Sequence, residues 1–206
     1  MRKILMAAFL VVGAALPASA GSITIDSSNC NNSSGSCYGL SWTLDVTSLG
    51  GNLYQATLTV VDDPNAAPDS GQIISAVSFK ASSSVSSATL TSAPTVPLSG
   101  WTTSYNTGLA SDGCTGNGSG MVCSQTLSNE ALFTGSQLQW VWTFTTSETG
   151  IAEQGDQLHI GAKLTTIDPY VPGRLLSVSA RVPEPASLSL LGVGLLGLAG
   201  LRRRAR

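Results

Sequence analysis

The sequence predicts an all-β fold, a single antiparallel β-sandwich of jelly-roll-like or immunoglobulin-like type. Three observations point there. Between residues 21 and 181 apolar side chains recur with a period of two. The breaks between these runs are Gly, Pro, Asn and Asp, the residues of tight turns. No window of this stretch carries a convincing 3.6-residue apolar period.

The first clear strand holds Trp42, Leu44 and Val46 in alternation with Thr43, Asp45 and Thr47. Gly50-Gly51-Asn52 makes a turn, and Tyr54 to Val61 returns as a Thr-rich strand, so the pair reads as a hairpin. Asp62-Asp63-Pro64-Asn65 ends it. Further strands are expected at Gln72–Ala81, Ser86–Thr91, Leu138–Thr146, Gln157–Ile167 and Arg174–Val182. Together they make one domain over residues 21–181, within the size range of a single core. The order of the strands is not written in the sequence.

The chain is 42% hydrophobic and 11% charged, the reverse of a disordered composition. Residues 21–181 hold eleven acidic and four basic side chains, a net charge of −7. An acidic body repels phosphate backbones, which excludes nucleic acid as a partner.

The four cysteines form two close pairs, Cys30 with Cys37 and Cys114 with Cys123, each in an Asn/Ser/Gly-rich segment. Local pairing is the simplest of the three possible connectivities, and an exported protein would allow it. A metal site is the rival reading. The spacings are too wide for the usual zinc pairs and no histidine lies nearby, so no metal is expected.

Chemistry is sparse. His159 is the only histidine, and it shares the polar face of its strand with Gly161 and Lys163, which reads as a surface histidine. No G-x-S-x-G or H-E-x-x-H element is present. Gly116-Asn117-Gly118-Ser119-Gly120 lacks the lysine of a phosphate loop and reads as the loop between Cys114 and Cys123. Asp62, Asp63 and Asp69 fall in one loop, and Glu148, Glu153 and Asp156 in another. Such clusters could bind calcium or cut a glycosidic bond, but the default is solvated loop charge. Trp140 and Trp142 share one strand face, where a flat pair could stack on sugars. Leu138 and Phe144 extend that face into an apolar stripe, which reads as core.

Both ends carry processing signals. Residues 1–20 read as a secretory signal peptide and signal helix: Arg2 and Lys3, an apolar run from Ile4 to Leu16, then the small residues Ala18 and Ala20. Cleavage after Ala20 would leave Gly21 as the new N-terminus. At the other end, Val182-Pro183-Glu184-Pro185 is stiffened by two fixed proline φ angles. Residues 186–201 follow without a charge, and read as a transmembrane helix of roughly 24 Å. Arg202, Arg203, Arg204 and Arg206 come last and should stay cytoplasmic. Both signals then place residues 21–181 outside the inner membrane.

The order of a Pro-Glu-Pro element, a short apolar span and an arginine-rich end resembles the PEP-CTERM sorting signal, over residues 182–206. That resemblance implies an exosortase, a membrane-embedded cysteine transpeptidase, as processing partner. It further implies a Gram-negative host that makes exopolysaccharide. The expected protein is an exported, non-enzymatic cell-surface or extracellular-matrix component of a biofilm. It would be transiently anchored by its C-terminal helix and need no cofactor. Its expected partners are the Sec translocon, signal peptidase, the inner membrane, the exosortase and exopolysaccharide. A carbohydrate-binding surface module is the second reading, and a secreted glycoside hydrolase the third.

Overall fold

The computed structural model describes residues 19–30, 37–65, 72–94, 97–126, 137–147, 158–166 and 174–180. The signal segment before Ser19, the sorting tail, Asp69 and the Glu148, Glu153 and Asp156 cluster lie outside these residues. Ten strands appear in chain order: β1 (Ser19–Ile25), β2 (Leu40–Gly50), β3 (Leu53–Asp62), β4 (Gln72–Lys80) and β5 (Val85–Ser92), then β6 (Trp101–Ala110), β7 (Gly113–Thr126), β8 (Leu138–Thr146), β9 (Leu158–Thr166) and β10 (Arg174–Ala180). They form two five-stranded antiparallel sheets, ordered β1-β2-β3-β8-β5 and β10-β9-β4-β7-β6. The fold is an all-β sandwich. The ten strands among the described residues exceed the seven to nine of an immunoglobulin sandwich and the eight of a jelly roll.

The alternation of each strand decides its inward face. Trp42, Leu44 and Val46 on β2 point inward with Tyr54, Ala56, Leu58 and Val60 on β3, and all are buried. The stripe Leu138, Trp140, Trp142 and Phe144 on β8 is core. Across the gap stand Ile74, Val77 and Phe79 of β4 and Ile160, Ala162 and Leu164 of β9. Phe79 locks the sheets together. Its ring lies 5.0 Å from Trp142 and 5.5 Å from Phe144, in tilted and edge-on geometry. Burying one such ring removes ~150–250 Å² from water, worth about 4–6 kcal/mol at 25 cal/mol per Å².

The indole N–H groups divide. Trp142 Nε1 donates to Ser124 Oγ at 2.8 Å, and Ser124 meets Thr103 Oγ1 at 2.8 Å. Trp42, Trp101 and Trp140 bury their N–H without an acceptor. Trp101 meets Trp140 edge to face, at 5.9 Å and 79°.

Three strands differ from the sequence expectation. β1 begins at Ser19, so the two residues ahead of the expected signal cut already lie in a strand, Ser19 opposite Thr47 of β2 and Ala20 at a break in the register. β6 and β7 are strands where no strand was expected. The glycine run from Gly116 to Gly120 lies within β7 and is not a loop. Cys30 is bonded to Cys37, and Cys114 to Cys123. Among the described residues no helix is long and apolar enough to cross a membrane.

Candidate functional site

The second sheet carries a constellation of polar groups that the fold brings together around a cavity. Along β7, β4, β9 and β10 the outward row is Cys123, Ser78, Gly161 and Ser177, each opposite the next in register. Their neighbours Phe79, Val122 and Ile160 point to the core. This outer face is covered by the chain's own β6–β7 arm.

The arm is a hairpin that bends back on itself. Tyr105 pairs with Val122, but Thr107 already pairs with Asn117, so the register jumps within β7. Cys114 and Cys123, nine positions apart in that strand, have Cα atoms only 5.6 Å apart. The Cys114 amide donates to Gln125 Oε1 at 2.7 Å. Asn106 is the elbow, in a left-handed conformation at φ 53, which Asn tolerates better than most residues. Its amide nitrogen donates to the Val85 carbonyl at 2.7 Å, and its Oδ1 accepts from the Val85 and Gly120 amides at 3.1 Å.

The glycines follow from close approach. A Cβ on Gly118 would stand 2.6 Å from the Gly108 nitrogen. One on Gly161 would stand 2.4 Å from Ser78 Oγ and 3.5 Å from Leu109 of the arm. At the arm's tip the Asp112 carboxyl is held below its usual range, first by the Thr115 hydroxyl and further by the charge of Lys163 on β9.

Between arm and sheet lies a cavity of about 230 Å³, lined in part by Ser78, Asn117, His159, Ser177 and Leu109. The buried Ser78 hydroxyl has no protein partner. His159 Nε2 and Ser177 Oγ are 3.1 Å apart. Burial, and then the charge of Lys80, push the imidazole below its usual value, so it is neutral at pH 7. His159 is therefore half-buried beneath the arm, not a surface histidine. The strand alternation gives its outward direction; nothing local announces the cover.

A neutral His–Ser pair could in principle activate a hydroxyl, but the base must be oriented by a third group. Among the described carboxylates, Asp112 and Asp63 engage groups other than the imidazole. Asp112 is held by Thr115. Asp63, expected as a solvated loop charge, is only 3% exposed and ties two distant segments together. The Ser27 and Asn65 amides each donate to its carboxylate at 2.8 Å. Hydrogen bonds from the Ser27 hydroxyl and amide, then from Asn65, hold its pKa down. Asp62 is exposed. Among the described residues no three His, Cys, Asp or Glu side chains are grouped to hold a metal ion. The cavity has room for several waters, each about 30 Å³, and the unpartnered Ser78 hydroxyl lines it.

The aromatic pair offers no platform. Trp140 and Trp142 are fully buried and Trp101 is 7% exposed.

The remaining functional segment follows β10 directly. A family model described as the PEP-CTERM protein-sorting motif matches residues 181–204. The chain carries a PEP-CTERM sorting motif. It covers the Val182 to Pro185 element, the apolar span and Arg202 to Arg204, and it begins one residue after Ala180 ends the sandwich. The motif is associated with exosortase processing and marks an exported, membrane-sorted class. No curated protein and no solved structure matches the chain.

Proposed function

We propose that this PEP-CTERM protein is a non-enzymatic component of the cell surface or extracellular matrix, delivered by its tail and processed by an exosortase. The sorting motif at residues 181–204 carries this reading. The sandwich is its cargo, a compact acidic body closed by two disulfides and bearing many surface hydroxyls. Residues 186–201 act as the transient anchor, with the arginines on the cytoplasmic side. The setting is a biofilm or exopolysaccharide matrix. Burial of Trp101, Trp140 and Trp142 weighs against the carbohydrate-binding alternative, which needs exposed flat rings. The scattered engagement of Asp63 and Asp112 weighs against a glycosidase, which needs two carboxyl groups facing one cleft.

The test is the intact mass of the protein purified from its native host, with and without the exosortase gene. The expected species starts at Gly21 and lacks the tail beyond the Pro-Glu-Pro element only when the exosortase is present. A tail retained through Arg206 in both strains would refute the sorting reading.

A further inference from the structure

Both ends of the sandwich leave from one pole. β1 begins beside Thr47, near the β2–β3 turn. β10 ends with Ala180 beside Leu158, the first residue of β9. His159 in turn pairs with Lys80 at the end of β4. From there residues 81–84 lead to Val85, which pairs with Thr146. The Thr146 amide closes the circuit by donating to the Asn52 carbonyl in the β2–β3 turn at 3.2 Å. β1 and β10 also touch at the edge of the sandwich.

That pole has an apolar tip. Leu49 and Leu53 flank the exposed Gly50-Gly51-Asn52 turn and are 49% and 39% exposed. Each leaves a large part of its side chain outside the core formed by the described residues, whereas the inward residues Val46 and Tyr54 on the same two strands are buried.

The leash from this pole to the apolar span is short. Six Cα–Cα steps separate Ala180 from Ala186, at most roughly 20 Å of extended chain. The opposite pole is about 30 Å further away, the length of a nine-residue strand. While the tail is inserted, the pole bearing Leu49 and Leu53 is therefore the one held against the bilayer.

We propose that the β2–β3 tip docks on the outer surface of the membrane, with Leu49 and Leu53 entering the interfacial layer while the tail is inserted. This rests on the reading of residues 186–201 as a membrane anchor. The contact is apolar and not electrostatic, because the β8–β9 connection, with Glu148, Glu153 and Asp156, starts and finishes at the same pole. It is also weak by itself. A single myristoyl chain binds membranes with only roughly 10⁴ M⁻¹, and two leucine side chains bury less. Tip and tail thus act together: the domain stands upright over the Pro-Glu-Pro element until the tail is cut, and then it leaves.

The test uses the full chain with labelled leucine methyls, incorporated into phosphatidylethanolamine–phosphatidylglycerol nanodiscs. A fraction of the lipid carries a paramagnetic headgroup. Leu98 is the internal control, since it is 45% exposed and precedes β6 at the opposite pole. The expected result is strong broadening of Leu49 and Leu53 methyls with Leu98 spared, unchanged in high salt. In the Leu49→Ser/Leu53→Ser variant, where the tip is read through the amides of Gly50 and Gly51, broadening at the tip should fall to the level of the opposite pole, with Leu98 shifts unaltered as a check on folding. Incorporation with Leu49 and Leu53 no broader than Leu98 overturns the docking and leaves the anchor standing. That includes the case where the tip becomes protected only when exosortase is added, which would make the partner a protein. A chain that never incorporates overturns the anchor reading and the docking with it.

Discussion

The two sheets share one core but face solvent differently. The outer face of β1-β2-β3-β8-β5 is an open ladder of Thr, Ser and Gln, with side-chain contacts such as Thr24 to Thr43 at 3.0 Å and Ser87 to Thr145 at 2.7 Å. The outer face of β10-β9-β4-β7-β6 is roofed by its own hairpin and lined by Ser78, Gly161 and a neutral His159. One sheet leaves its outer face to solvent, and the other buries Ser78, Cys123 and Gly161 on its outer face. Substitutions should therefore spread across the core alike and diverge on the outer faces.

The largest effect belongs to the shared core. Trp142→Ala removes the ring against Phe79 and one of the two hydrogen bonds of Ser124, so chemical denaturation should show a loss of about 3–5 kcal/mol. A loss below about 1 kcal/mol would mean that the two sheets do not pack through this ring.

The glycines separate the sheets. Gly51 and Gly120 both have left-handed φ, +59 and +72. Around Gly51 a Cβ meets nothing within 4 Å, whereas on Gly120 it would fall 1.8 Å from the Ser82 carbonyl oxygen. Gly51→Ala should cost about 1–2 kcal/mol, the backbone penalty alone. Gly120→Ala should cost more, roughly 2–4 kcal/mol, because the arm's elbow must also move. Equal losses would show that the roof is loosely seated.

These contrasts explain what was legible. The hairpin at Trp42 to Val61 and the stripe on β8 could be read directly, because a sheet with one wet face alternates apolar and polar residues. β6 and β7 could not. Their Thr, Ser, Asn and Gly content reflects close backbone approach at Gly108, Gly116 and Gly118, and in sequence that looks like a loop. β1 was hidden because Ser19 and Ala20 also satisfy a signal-peptidase site. Asp63 sits in an Asp-Pro-Asn turn, and its burial depends on Ser27, 36 residues away. The sorting motif at residues 181–204 was legible because it is written in linear order and not in packing.

Next in size is the pin on the roof. Cys114→Ala/Cys123→Ala opens a short loop, for which the chain-entropy account gives about 2.5 kcal/mol. The nearly equal loop at Cys30–Cys37 should give a similar global loss when removed. Only the first pair should also raise amide exchange at Gly108 and Leu109 and expose His159, because only that disulfide holds the arm to the sheet. Equal exchange in the two variants would show that the Asn106 elbow alone keeps the roof closed.

The smallest effect is a pH dependence whose sign differs from that of the carboxylates only in its window. His159 has a folded pKa below its ordinary 6.5, because burial and Lys80 disfavour the imidazolium. As pH falls below about 6.5 the unfolded chain takes up a proton that the folded chain refuses, so stability declines. Asp63 also has a lowered folded pKa, from 3.8, so its stabilisation is intact above that value and is lost as pH falls below it. Thermal melts from pH 8 to pH 3 should thus decline in two steps, a shallow one beneath pH 6.5 and a second beneath pH 4. His159→Gln should abolish the first step and leave the second; Asp63→Asn should leave the first and shrink the second, to which Asp112 also contributes. If His159→Gln leaves the upper step in place, the imidazole is solvated and the roof over the second sheet stands open in solution.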